Sequence, residues 1–109
     1  MKAGRLGVAV GLCLFIGSSV AAQTAPDVER GLTIARTHCA QCHSIDNADA
    51  SPSPHPGAPP LRDLHTRYPV ENLEEALAEG IVTGHPAMPP FHFEPDQIAS
   101  LIAFLKSLE

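Results

Sequence analysis

The sequence predicts an all-α fold, and three observations carry that expectation. Ile98, Leu101, Ile102, Leu105 and Leu108 recur at the spacing of one helix face over residues 96–108. A second apolar pattern of the same period, Val28, Leu32, Ala35 and Cys39, opens just after Pro26 and Asp27. Nowhere does the chain show the strict alternation of a half-buried strand, and much of what lies between the periodic segments is too rich in proline to form one.

Taken in order, residues 1–22 carry Lys2 and Arg5, then an apolar run, then the small residues Ser18, Ser19, Ala21 and Ala22. That is the three-part layout of a secretory signal, with cleavage expected after Ala22 and a mature domain over 23–109. The alternative, a retained anchor, is opposed by an apolar run shorter than the ~20 residues of a spanning helix. The expectation is export to the periplasm with no stable membrane insertion after cleavage. Cys13 follows Leu12 rather than a small residue, which argues against lipidation, and it leaves with the leader.

About 87 residues then remain, close to the size at which one core barely sustains itself, and the chain has no Trp. A domain of this kind needs a staple. Without Lys2 and Arg5, five basic side chains face twelve acidic ones, a formal charge of about −7. Such a balance excludes nucleic acid as a partner class and suits a basic docking patch on another protein.

The first helical pattern has Glu29 and Arg30 on its polar side and Gly31 in its interior. A mid-helix Gly costs ~1 kcal/mol relative to Ala, so close approach of another helix is expected there. Residues 47–60 turn to Ser, Pro, Ala and Gly and read as an irregular loop within the domain. Residues 70–79 form a second amphipathic segment, with Leu73, Ala76 and Leu77 on one face and Gly80 as its stop. Residues 81–91 are again proline-rich, and Pro95 suits the first turn of the terminal helix.

The chemistry lies in Cys39-Ala40-Gln41-Cys42-His43, the C-x-x-C-H pattern of covalent haem attachment. Two thiols three residues apart reach two vinyl groups of one porphyrin, and the next residue brings an imidazole to the iron. A thioredoxin-type pair belongs in a βαβ setting that this chain lacks. A zinc site wants a second ligand pair; His55, His65, His85 and His92 could be recruited, but none is paired with a Cys. A Cys39–Cys42 disulfide is the plain structural alternative. The cofactor expected is one haem c, bound through Cys39 and Cys42, with His43 on its iron.

Met88 is the one thioether left once Met1 is removed, and Pro86 and Pro89 restrict its swing. Thioether opposite imidazole raises the potential and saturates the iron, which favours electron transfer over ligand activation. Ordinary core filling is the other use of a Met, and His85 and His92 compete for the sixth position.

These residues together resemble the small soluble class I cytochromes c of bacteria over residues 26–109. The likeness rests on C-x-x-C-H after one helix, a Pro-Pro-Leu segment, and Gly84-His85-Pro86-Ala87-Met88-Pro89 before a final amphipathic helix. It implies about three principal helices around one haem, with His43 and Met88 as axial ligands. It also implies a proline carbonyl that accepts a hydrogen bond from His43. Pro59 is the choice for that carbonyl, with Pro60 as the other register, because Ala58-Pro59-Pro60-Leu61 departs from the commoner Gly-Pro-x-Leu. Gly31 and Phe104 resemble the pair at which the family's first and last helices cross. Arg67, with Tyr68, is the candidate for a haem propionate, although Arg62 and Arg67 also read as solvated charges.

The expected function is that of a non-enzymatic carrier of single electrons between redox partner proteins: membrane or periplasmic dehydrogenases, reductases or oxidases. Two other readings remain: a subunit docked permanently on a periplasmic dehydrogenase, and a haem enzyme or sensor in which Met88 is displaced.

Overall fold

A computed structural model describes residues 3–4, 7, 11–13, 17, 25–47, 51–80 and 85–109. The expected leader falls largely outside the described residues, as do residues 81–84 on the approach to Met88. Helix α1 (Val28–His38) is followed by a 3-10 helix, Leu61–Thr66, and by a second 3-10 turn, Val70–Asn72, that runs into α2 (Leu73–Glu79). Helix α3 (Pro95–Ser107) closes the chain. Among the described residues there is no strand, and no helix is long and apolar enough to cross a membrane.

Each helix starts and stops for a local reason. Asp27 caps α1, its Oδ1 accepting the Glu29 N–H at 2.9 Å. Pro95 opens α3 where its missing N–H costs nothing, and the Glu94 N–H ahead of it donates to Gln97 Oε1 at 2.9 Å. Gly80 ends α2 in the left-handed region, φ 70° and ψ 34°, which a residue with a Cβ adopts only at a cost. A side chain there would also run into the His92 imidazole.

The crossing of α1 on α3 organises the domain. Gly31 is buried at the contact, and a Cβ built on it would lie 2.6 Å from the Phe104 Cβ and closer still to the Ser100 carbonyl oxygen. Gly31 and Phe104 therefore meet as the family likeness implies. Ser100, buried on α3, accepts the Asp27 N–H on its hydroxyl at 3.2 Å, so the start of α1 is tied to the middle of α3. Ile34 and Ala35 then pack with Ile98, Leu101, Phe104 and Leu105, while Leu61, Leu64, Val70 and Leu77 fill in from the two 3-10 segments and α2.

One expectation is corrected here, and one element is added. Val28, placed on the apolar stripe of α1, is 43% exposed; the buried residues are Gly31, Ile34 and Ala35. The glycine seat draws the contact face around to its own side. The 3-10 helix at Leu61–Thr66 was not anticipated either, and it buries Leu61 and Leu64 three residues apart, which is its period.

Two exposed ion pairs fasten the outside. Arg30 Nη2 meets Asp96 Oδ2 at 2.8 Å, and Lys106 pairs with Glu71. The Arg30 hydrogen bond holds the Asp96 carboxyl below its ordinary range, and the Lys106 hydrogen bond does the same for Glu71. A carboxyl depressed by folding stabilises above its unfolded pKa, and that contribution is lost as pH falls through the folded value. Asp96→Asn and Glu71→Gln should accordingly melt slightly below the parent at neutral pH and converge with it in acid, as thermal melts across the acid range would read. The effect is small because both pairs are exposed.

Candidate functional site

The site grows from the end of α1. Cys39 is the C-cap, its N–H donating to the Ala35 carbonyl at 2.8 Å, and the chain then turns tightly. The Cys42 and His43 N–H groups both donate to the Cys39 carbonyl, at 3.1 and 2.9 Å. One turn thus carries both thiols and the imidazole, the arrangement that the C-x-x-C-H spacing implies. No disulfide joins Cys39 to Cys42. Burial against the core pushes the Cys39 thiol up to about 11. A dithiol redox pair works through a thiol pulled below its ordinary value, so this displacement runs against thioredoxin-type use.

His43 is oriented by the loop that follows. Its Nδ1–H donates to the Pro59 carbonyl at 2.7 Å. A carbonyl oxygen can only accept, so the proton sits on Nδ1 and the lone pair on Nε2 is left for a metal. Of the two registers considered, Pro59 makes the bond. A half-buried thiol, a second thiol one turn on and a histidine whose tautomer is fixed make up a donor set that fits covalent haem.

The loop does more than offer one carbonyl. The His55 N–H donates to the Cys42 carbonyl at 3.1 Å, and the Ala58 N–H donates to the His55 carbonyl at 3.1 Å, closing a turn just before Pro59. The His55 ring accepts the Gly57 N–H on Nδ1 at 3.1 Å. Read from sequence as irregular, the stretch has no regular element among its described residues, and the polar backbone from His55 to Ala58 is anchored.

Met88 lies in a turn of its own, its N–H donating to the His85 carbonyl at 2.9 Å, and it is half-buried between exposed prolines. Two neighbours of this segment were not visible in the sequence. Phe91 and Phe93 stack with ring centroids 5.2 Å apart, and the His38 ring stands edge-on to both, at 6.1 and 5.1 Å. The residue just before Cys39 is thereby packed on the segment just after Met88, while the Phe93 N–H reaches the Leu77 carbonyl at 2.8 Å. The His38 contacts join residues more than fifty positions apart, which no periodicity announces.

Arg67 is exposed at the end of the first 3-10 helix, lining a surface groove with Tyr68, Glu71 and Glu109. Arg62 is the more engaged of the two arginines. Its Nη1 donates to Ser44 Oγ at 3.1 Å and its Nη2 to the Ser51 carbonyl at 3.0 Å, so it is no solvated surface charge.

Comparison with known proteins agrees with this chemistry. Residues 28–109 match the family model described as cytochrome c. The chain is similar to a cytochrome c-552 from Bradyrhizobium diazoefficiens, with 29% identity over 100 residues that cover 90% of this chain and 92% of that protein. No solved structure matches the chain.

Proposed function

Since the chain belongs to the cytochrome c family, binding haem c through Cys39 and Cys42 and transferring electrons with redox partner proteins instead of converting a substrate, we propose that it is a periplasmic single-electron carrier with His43 and Met88 as axial ligands. The observation that carries this reading is the His43 Nδ1–H bond to the Pro59 carbonyl, which presents Nε2 as the coordinating atom. Haem held by Cys39, Cys42 and His43 would supply the one-electron change.

The protein's part is to hold and insulate. Cys39 and Cys42 keep the macrocycle attached whatever happens at the iron. Pro59 fixes the tautomer and ring plane of His43 and strengthens it as a donor. Met88 supplies a soft sulfur that favours the ferrous state, and Pro86 and Pro89 keep its turn from wandering. Arg67 is the basic side chain assigned to a haem propionate, since Arg62 is occupied with the Ser44 hydroxyl and the Ser51 carbonyl. Export is supported by the layout of residues 1–22.

Met88→Ala tests the ligand set. The variant is expected to keep its haem, to lower its potential, and to bind exogenous imidazole or cyanide on the order of ten- to a hundredfold more tightly, since no internal ligand competes. Titrations followed by absorption, with potentiometry, read all three. If the ferric spectrum and potential match the parent's, Met88 is not the ligand and His85 becomes the residue to replace.

A further inference from the structure

Ser44 follows the proposed axial histidine directly, and it is buried, at 7% exposure. Each of its three polar groups is bound to the same stretch of chain. Its N–H donates to Ser53 Oγ at 3.0 Å, its carbonyl accepts the Leu61 N–H at 2.9 Å, and its hydroxyl accepts Arg62 Nη1 at 3.1 Å. The guanidinium also reaches the Ser51 carbonyl at 3.0 Å and, more distantly, the Asp46 carbonyl at 3.5 Å. On the other side of His43, the Cys42 carbonyl accepts from His55. The histidine therefore sits between two residues that are pinned to the loop carrying its own acceptor, Pro59.

We propose that Ser44 and Arg62 are positioning residues for His43, clamping its backbone to the loop so that Nδ1–H stays on the Pro59 carbonyl and Nε2 keeps one direction. This rests on the reading of His43 as an axial ligand. The ring reaches Pro59 only while the two backbones keep their separation. Nothing in the ring itself sets that separation; the bonds through Ser44 do. Arg62 suits the task because a planar guanidinium spans two acceptors at a fixed distance, which an ammonium cannot do. With one arm on Ser44 and the other on Ser51, it holds the two sides of the loop to a single spacing. Hydrogen bonds from charged donors are stronger than neutral ones, and the acceptors here are partly shielded from water.

The test uses the haem-loaded protein and deuterium exchange of the His43 ring N–H, followed by NMR in the ferrous state. Ser44→Ala and Arg62→Gln should each speed that exchange about tenfold, the equivalent of ~1.4 kcal/mol. Arg62→Lys, which keeps the charge without the two-armed reach, should behave like Arg62→Gln, and Ser44→Thr, which restores the hydroxyl, like the parent. A merely structural role would lower melting temperature while leaving ring exchange within twofold of the parent, and that result overturns the proposal. A parent-like rate in Arg62→Lys overturns the part given to the guanidinium. The ligand reading is checked in the parent alone, where His43 ring signals must be displaced by the haem. If they are not, that reading falls and the proposal falls with it; displaced signals with unchanged exchange in the variants sink the proposal by itself.

Discussion

Replacing Cys39 and Cys42 together by Ala is expected to abolish covalent haem attachment completely and to leave a chain without a cooperative thermal transition. The first half follows from the chemistry of the motif, since no other described Cys lies near His43. The second follows from the size of the core. Among the described residues eleven buried apolar side chains serve the domain, none of them a Trp and only one a Phe. Cores of this scale rarely supply more than ~3–5 kcal/mol, and a cofactor bound to the folded state alone adds to that by linkage. Intact-mass measurement after expression with haem-maturation machinery checks the first half. The parent should weigh as the chain from Gln23 plus one haem and the variant as the bare chain. Circular dichroism on heating checks the second. A parent with the mass of the polypeptide alone would sink the assignment.

The next largest effect is expected at Gly31. Gly31→Val places a branched side chain where the Ser100 carbonyl and the Phe104 Cβ already stand. Neither can yield cheaply, because one is helix backbone and the other is the first atom of a buried side chain. Overpacking of this kind costs ~1–3 kcal/mol and more where backbone must shift. The better helix propensity of Val over Gly returns a few tenths of a kcal/mol. A net loss of ~2–3 kcal/mol lowers the melting temperature of a domain this size by roughly 10–20 °C. Val28→Ala is the control: Val28 is exposed, and its variant should melt within a few degrees of the parent. A Gly31→Val protein that melts with the control would mean that the two helices separate without penalty.

How much of this was legible in the sequence depended on the kind of contact. The terminal helix was plain because it buries a continuous stripe, Ile98, Leu101, Ile102 and Leu105, and large apolar residues at a fixed period are what a sequence displays best. The first helix shows most of its buried face, since Ala35 is in the core with Leu32 and Cys39 packed against it, and only Val28 falls off it. Its closest contact is made by a glycine, which carries no hydrophobic signal, so Val28 was set on a stripe that it does not join. The 3-10 helix at Leu61–Thr66 lay hidden behind Pro59 and Pro60, and two leucines three apart are too short a pattern to read. At the site, the Cys39–Cys42–His43 motif declared itself because spacing alone encodes it. The role of Arg62 did not, because its partners are a serine hydroxyl and backbone carbonyls, groups that every sequence contains and none advertises.

The bond between the Asp27 N–H and the Ser100 hydroxyl spans 73 residues. Drawing together ends so far apart costs about 4 kcal/mol of chain entropy, and no contact of α1 with α3 repays it until both are present. The helix made first therefore has nothing to rest on until the last turns of the chain arrive. On the export route proposed above, the amino end leads and the chain stays open for the whole of its passage. During that interval Cys39 and Cys42 lie outside any core, where an attachment enzyme can reach both thiols. Ring closure by α3 comes last on that route, so order of synthesis and order of assembly run in opposite directions along this molecule.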